Sequence, residues 1–173
     1  MYKRHINLIM LKKILQKIID HLKQQPPFKF ILIMTGCNLI LIPLTLIFFF
    51  LAKYLGIHEG YSHTNPRMLF ISAITLAPIL ETFTGQMIPI LITRRFIKSS
   101  WIILTVSAIV FAAPHCTVNI LRFFTAFING ILFAFTFLHW LKLSLGKAYW
   151  ITFAVHFLYN FVVFLPFLFA ETA

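Results

Sequence analysis

Residues 99–141 form a stretch of 43 positions with a single charged side chain, Arg122. Wound into one helix, that stretch would be about 65 Å long, roughly twice the hydrocarbon thickness of a bilayer. It has to fold back on itself. The polar cluster Thr117, Asn119 and Arg122, just after Pro114, is the best place for the turn. Two spans result, near residues 99–116 and 123–141. Three further runs have the same character. Residues 30–52 are 23 positions without a charge, residues 68–93 are apolar except for Glu81 at their middle, and residues 148–170 close the chain. The expected fold is all-α: a polytopic membrane bundle of about five transmembrane helices. A polar loop with His58, Glu59, His63 and Pro66 separates the first two spans, and Ser144, Gly146 and Lys147 separate the last two.

The composition agrees, with 60% hydrophobic residues, 11% charged and 21 phenylalanines. A water-soluble surface needs more charge than that, whereas a lipid-facing surface carries apolar side chains at no cost. The net charge of +11 does not indicate nucleic acid, because the basic residues flank apolar runs instead of forming a stripe. The partners to expect are membrane lipids and a membrane-anchored peptide or protein, with no nucleic acid. Cys37 and Cys116 read as small apolar residues, not as a disulfide or a metal pair. No cleavable signal peptide is evident among the amino-terminal lysines.

Over residues 6–23, Leu8, Leu11, Leu15, Ile18 and Leu22 recur at helical spacing, with Lys12, Lys13, Lys17, Asp20 and Lys23 opposite. That pattern suits an amphipathic helix on an anionic membrane surface, ended by Pro26 and Pro27. Packing against another protein is the alternative. The chain thus divides into an amphipathic helix and linker, 1–29, and a bundle, 30–170. With the amino terminus inside, the cytoplasmic side holds the seven basic residues from Lys3 to Lys29 together with Arg94, Arg95, Lys98, Lys142 and Lys147. The outside holds Lys53, Arg67 and Arg122. This bias places the amino terminus inside and the carboxyl terminus outside. We expect an integral protein of a bacterial cytoplasmic membrane.

Of four acidic residues only Glu81 lies mid-membrane. An ionised carboxylate there costs about 3 kcal/mol or more, so Glu81 should face the bundle interior near a polar partner or water. His156 and Asn160, four residues apart, share one face of the last span, extended by Thr152 and Tyr149. Such a stripe can be interhelical glue. Its coincidence with Glu81 and with His115, on two other spans, points to a site. His139 beside Trp140 reads as an interfacial anchor.

Three segments in order are Ala77-Pro78-Ile79-Leu80-Glu81-Thr82, Phe111-Ala112-Ala113-Pro114-His115 and His156-Phe157-Leu158-Tyr159-Asn160. Together they resemble the CPBP family, the intramembrane proteases related to type 2 CAAX prenyl endopeptidase, also called the Abi or lysostaphin-resistance-protein group. Its motifs are E-E-x-x-x-R, F-x-x-x-H and H-x-x-x-N. The resemblance covers about residues 68–165. It implies that Glu81 and His115 activate a water, while His156 and Asn160 hold the oxyanion. The family is also described as metalloproteases, and Glu81, His115 and His156 are the residues that would hold zinc. With no H-E-x-x-H in the chain, the reading favours a glutamate protease without a cofactor.

The chain departs from the first motif at Thr82 and Gln86, which stand where the family has glutamate and arginine. Losing both charges together suits a neutral hydrogen-bonded pair in place of an ion pair. The same departure supports an alternative, a non-catalytic membrane scaffold or regulator. A proton-coupled transporter using Glu81 and His156 is disfavoured by the lack of an inverted repeat. Counting from the span ends puts Glu81 and His156 roughly 10–20 Å from the cytoplasmic side and His115 nearer 25 Å. For the three to meet, the third helix must tilt or begin below the membrane plane.

Overall fold

The computed structural model describes residues 13, 16–22, 24–57, 66–117 and 120–169. They are almost wholly helical, with no strand among them. The chain separates into two compact units, Met1–Phe30 and Ile31–Ala173. In the first unit, residues 16–22 are helical, and the Gln16 amide donates to the Asp20 carboxylate one turn on, at 2.9 Å. Most of the expected amphipathic helix, residues 6–12, 14, 15 and 23, lies outside the described residues, as do loop residues 58–65.

Five long helices follow. We number them α1 (Pro27–Tyr54), α2 (Arg67–Phe96), α3 (Ser100–Thr117), α4 (Ile120–Leu141) and α5 (Leu145–Phe164). The first four are long and apolar enough to cross a membrane. The fifth has 20 residues but carries the polar stripe. The chain is an integral membrane protein with an all-α polytopic bundle. Large apolar side chains face outward, among them Ile71, Leu76, Leu80 and Ile92, as a lipid-facing surface requires. Phe96, Trp101 and Trp150 lie at helix ends beside Arg94, Arg95, Lys98 and Lys147, and all are exposed. Aromatic rings among basic residues mark a membrane interface.

The first span is not one regular helix. It breaks at Ile40 and Leu41, between Pro27–Leu39 and Ile42–Tyr54. Pro43 is the cause: it has no N–H to give the Leu39 carbonyl, and its ring crowds the preceding turn. Gly56 ends α1 in the left-handed region, φ 67°, with Ile57 N–H bonded back to the Ala52 carbonyl at 2.9 Å.

Prolines also reshape α2. Its α-helical turns are interrupted by two π-helical turns, Ser72–Leu76 and Thr82–Met87, which flank the short segment Ala77–Glu81. Each π turn is followed two residues on by a proline, Pro78 or Pro89. In the first, the Ala77 N–H reaches the Ser72 carbonyl, five residues back. The Ala73 carbonyl would next take an N–H from residue 78, and proline has none. In the second, Ile88 N–H bonds Phe83 O, and Pro89 has no N–H for either following carbonyl, Thr84 in the π register or Gly85 in the α register. The Ala73 carbonyl and the Gly85 carbonyl each face a donor on a neighbouring helix, the second sharing the Ser107 proton with Gln86 Oε1. Asn160 Nδ2 donates to Ala73 O at 2.8 Å, and the Ser107 hydroxyl lies 2.8 Å from Gly85 O.

Pro114 tightens the end of α3 into a 3-10 turn, Ala113–Thr117. Arg122, expected in the turn between spans, stands in the first helical turn of α4, which begins at Ile120. Ser144 caps α5 by accepting the Lys147 N–H at 3.1 Å, and Pro166 ends it in a second 3-10 turn, Leu165–Leu168.

Two glycines set how closely α2, α3 and α4 approach. A Cβ on Gly85 would sit 3.1 Å from the Phe111 Cα, and one on Gly130 would sit 3.1 Å from the Ala108 Cα. The backbone of α3 is pressed against both glycines, as small residues permit between membrane helices. Phe111 is held between them.

Candidate active site

The three histidine- and glutamate-bearing helices converge at Phe111. Glu81 is the last residue of the α-helical segment between the two π turns, half-buried, and its Oε2 lies 3.5 Å from His156 Nε2. His156 is 3% exposed. Its ring stacks on Phe133 of α4 with centroids 4.5 Å apart and meets Phe111 edge-on at 5.6 Å. Two aromatic neighbours leave the imidazole little freedom other than to face α2.

His115 belongs to the 3-10 turn that Pro114 imposes. Its Nδ1 lies 3.2 Å from the Phe111 carbonyl. A carbonyl only accepts, so this bond puts the proton on Nδ1 and leaves Nε2 as the ring's acceptor. The Phe111 ring lies 5.4 Å from the His115 ring, so one phenylalanine touches both histidines. The expected discrepancy in depth disappears for a geometric reason. Counting assumed that all spans begin at one plane, yet α2 has 30 residues, about 45 Å of helix, and α3 has 18. Helices so unequal do not share end planes.

Asn160 is 8% exposed. One hydrogen of its amide is committed to Ala73 O, and the second remains to be donated. Higher on the stripe, the Tyr149 hydroxyl donates to Ile79 O at 3.0 Å, so the same helix face secures α2 at two levels.

Glu81, His115, His156 and Asn160 all line one cavity of about 270 Å³ inside the bundle. Thr45 and Phe48 of α1, Arg122 and Asn129 of α4 and Tyr159 of α5 complete its polar and aromatic wall. A carboxylate near imidazole in a confined, partly apolar space is a pairing that can take a proton from water. Thr82 and Gln86 lie elsewhere, 0% and 1% exposed, behind the cavity. They do not form the hydrogen-bonded pair expected of them. Gln86 Oε1 meets the Ser107 hydroxyl at 2.5 Å, and Thr82 Oγ1 has no hydrogen-bond partner among the described residues. The close approach of α3 at Gly85 brings Ser107 within reach of Gln86.

Among the described residues no three His, Cys, Asp or Glu side chains gather closely enough to hold an ion. The Phe111 carbonyl holds Nδ1 of His115 and leaves its Nε2 as an acceptor, so Glu81, His115 and His156 are donor types that zinc takes, not gathered as a set of three ligands.

Asn129 and Tyr159 were missed from sequence. Asn129 is a lone amide in an apolar span, the same signal that singled out Glu81, and Tyr159 extends the α5 stripe between His156 and Asn160. Neither residue's partner can be read without knowing that α4 and α5 pack together.

No curated protein and no solved structure matches the chain. Residues 63–162, which include every segment carrying Glu81, His115, His156 and Asn160, match the family described as type II CAAX prenyl endopeptidase Rce1-like, and the chain belongs to that family.

Proposed function

We propose that the protein is an intramembrane endopeptidase that hydrolyses a peptide bond in a membrane-anchored peptide or protein. The observation that carries this reading is the 3.5 Å approach of Glu81 to His156 inside a cavity shared with His115 and Asn160. Glu81 and His115 take the proton of the attacking water, His115 through the Nε2 left basic by its Nδ1 bond. His156 and Asn160 donate to the oxyanion as it forms on the scissile carbonyl. Neutral donors held in place in a water-poor site gain strength over their value in water. The proposed mechanism uses no metal. A prenylated CAAX peptide is the first substrate to try, on the family's own description.

The basic residues at the α2–α3 and α4–α5 connections support a topology with those connections and the amino terminus inside. If α5 crosses as a fifth span, the carboxyl terminus is outside. We assign the protein to a bacterial cytoplasmic membrane. The second reading, a non-catalytic scaffold, draws on Thr82 and Gln86.

The test is cleavage by purified protein in vesicles of a panel of lipid-anchored peptides, prenylated CAAX peptides included, with Glu81→Gln in parallel and a family enzyme of the E-E-x-x-x-R form as control. Cleavage lost in the variant supports the protease. Cleavage by the control alone supports the scaffold.

A further inference from the structure

Among the polar groups on the cavity wall that have no part in that mechanism is the Tyr159 hydroxyl. Tyr159 is 9% exposed and lines the cavity with Glu81, His156 and Asn160. Its oxygen accepts a 3.0 Å hydrogen bond from Asn129 Nδ2 of α4, a residue 6% exposed that also lines the cavity. A phenol oxygen that is accepting keeps its own proton to donate. The ring is fixed by Phe133, edge-on at 6.3 Å, and that same phenylalanine stacks on His156. One side chain therefore sets the positions of both Tyr159 and His156. Three residues from His156 and next to Asn160, Tyr159 leaves α5 on the same face.

We propose that Tyr159, oriented by Asn129, is a third hydrogen-bond donor to the oxyanion. The inference rests on the endopeptidase reading. The two donors already named are partly engaged: Asn160 gives one amide hydrogen to Ala73 O, and His156 Nε2 faces the Glu81 carboxylate. A third neutral donor stabilises the developing charge without burying another ion. Water adds to the carbonyl carbon, and its proton passes to the Glu81–His115 pair. The carbonyl π electrons move to oxygen, where Tyr159 donates a hydrogen bond and transfers nothing. Collapse breaks the C–N bond, and the held proton goes to the leaving amine. Tyr159 touches the reacting oxygen, and Asn129 is a positioning residue.

The test measures kcat and KM in vesicles on whichever peptide of the panel is cut, with melting temperature as the stability readout. Tyr159→Phe is expected to lower kcat on the order of 100-fold, the usual loss for one oxyanion donor, with KM and melting temperature close to wild type. Asn129→Asp can only accept from Tyr159, drawing its proton away from the cavity, and is expected to lose a similar factor. The double variant is expected to fall no further than Tyr159→Phe alone. If Asn129→Asp does not insert, Asn129→Leu, which removes the orienting amide, is expected to lower kcat as well. Tyr159→Phe at wild-type kcat, or a loss carried by KM or melting temperature, overturns the donor assignment. Cleavage abolished by Glu81→Gln but untouched by Tyr159→Phe overturns this inference alone. No cleavage by wild type, with the control enzyme active, overturns both.

Discussion

Asn160 donates to the backbone carbonyl of Ala73 across the α2–α5 interface at 2.8 Å, and it does so because Pro78 leaves that carbonyl without its own helix partner. A break in one helix thereby orients a side chain on another. π turns recur at functional sites, and here the local reason is visible: the extra residue in the turn turns a carbonyl toward α5. Pro78→Ala supplies an N–H able to satisfy Ala73 O within α2. The variant is expected to fold at least as stably, since an interior proline costs about 3 kcal/mol, and to lose kcat as Asn160 is released. Melting temperature and kcat measured together check this. A drop in both would make Pro78 a folding residue only.

Close approach at Gly130 leads to a second expectation. An added Cβ would stand 3.0 Å from Phe111 Cδ1 and 3.1 Å from the Ala108 Cα, and a backbone atom cannot turn aside. Gly130→Ala is expected to cost about 1–3 kcal/mol through overpacking, and to shift Phe111 against both histidine rings with a further loss of activity. Gly36→Ala is the control, because its Cβ would meet nothing within 4 Å. It is expected to be neutral or to stabilise by up to about 1 kcal/mol, the helix-propensity difference. Paired melting curves in lipid separate the two.

The bundle was legible in the sequence because the bilayer sets helix length and lipid admits no exposed charge. Runs such as residues 68–93 and 123–141 therefore announced α2 and α4 within a few residues of their ends. The facing of Glu81 and His156 followed from the cost of a lone buried carboxylate and from the four-residue spacing of His156 and Asn160. The interior of α2 was not legible, because span counting assumes 3.6 residues per turn throughout. Pro78 and Pro89 were in plain view, but whether a proline kinks, breaks or inserts a π turn depends on which neighbour caps the freed carbonyl. Those caps, Asn160 for Ala73 and Ser107 for Gly85, are 87 and 22 residues away. Pro43 was equally visible, and it interrupts α1 at Ile40 and Leu41 within the one span expected there. His115 appeared too deep because the spans were taken to begin at one plane, and Asn129 with Tyr159 stayed hidden because their pairing belongs to the packing of α4 on α5.

Chelation tests the metal-free mechanism. Glu81 and His156 stand 3.5 Å apart, and among the described residues no group of three metal-ligating side chains is gathered. EDTA or phenanthroline is expected to leave cleavage largely unchanged in reconstituted vesicles. Full loss, restored by zinc, would mean that His115 Nε2 joins Glu81 and His156 as a ligand.

The remaining expectation concerns the departure at Thr82 and Gln86, which are 0% and 1% exposed in the α2 interior. Thr82→Glu alone buries a carboxylate with no cation opposite, and Gln86→Arg alone buries a cation beside Ser107. A buried charge without its partner costs about 3–5 kcal/mol, so each single variant is expected to give little folded protein. The double variant restores the pair the family motif carries, and it is expected to recover most of the wild-type melting temperature. A coupling of about 2 kcal/mol or more in the double-mutant cycle would show that the two positions still face each other. If the double variant is no better than the worse single, the site has been remade around the Gln86–Ser107 contact. Adding Ser107→Ala should then rescue it, by clearing room for the guanidinium.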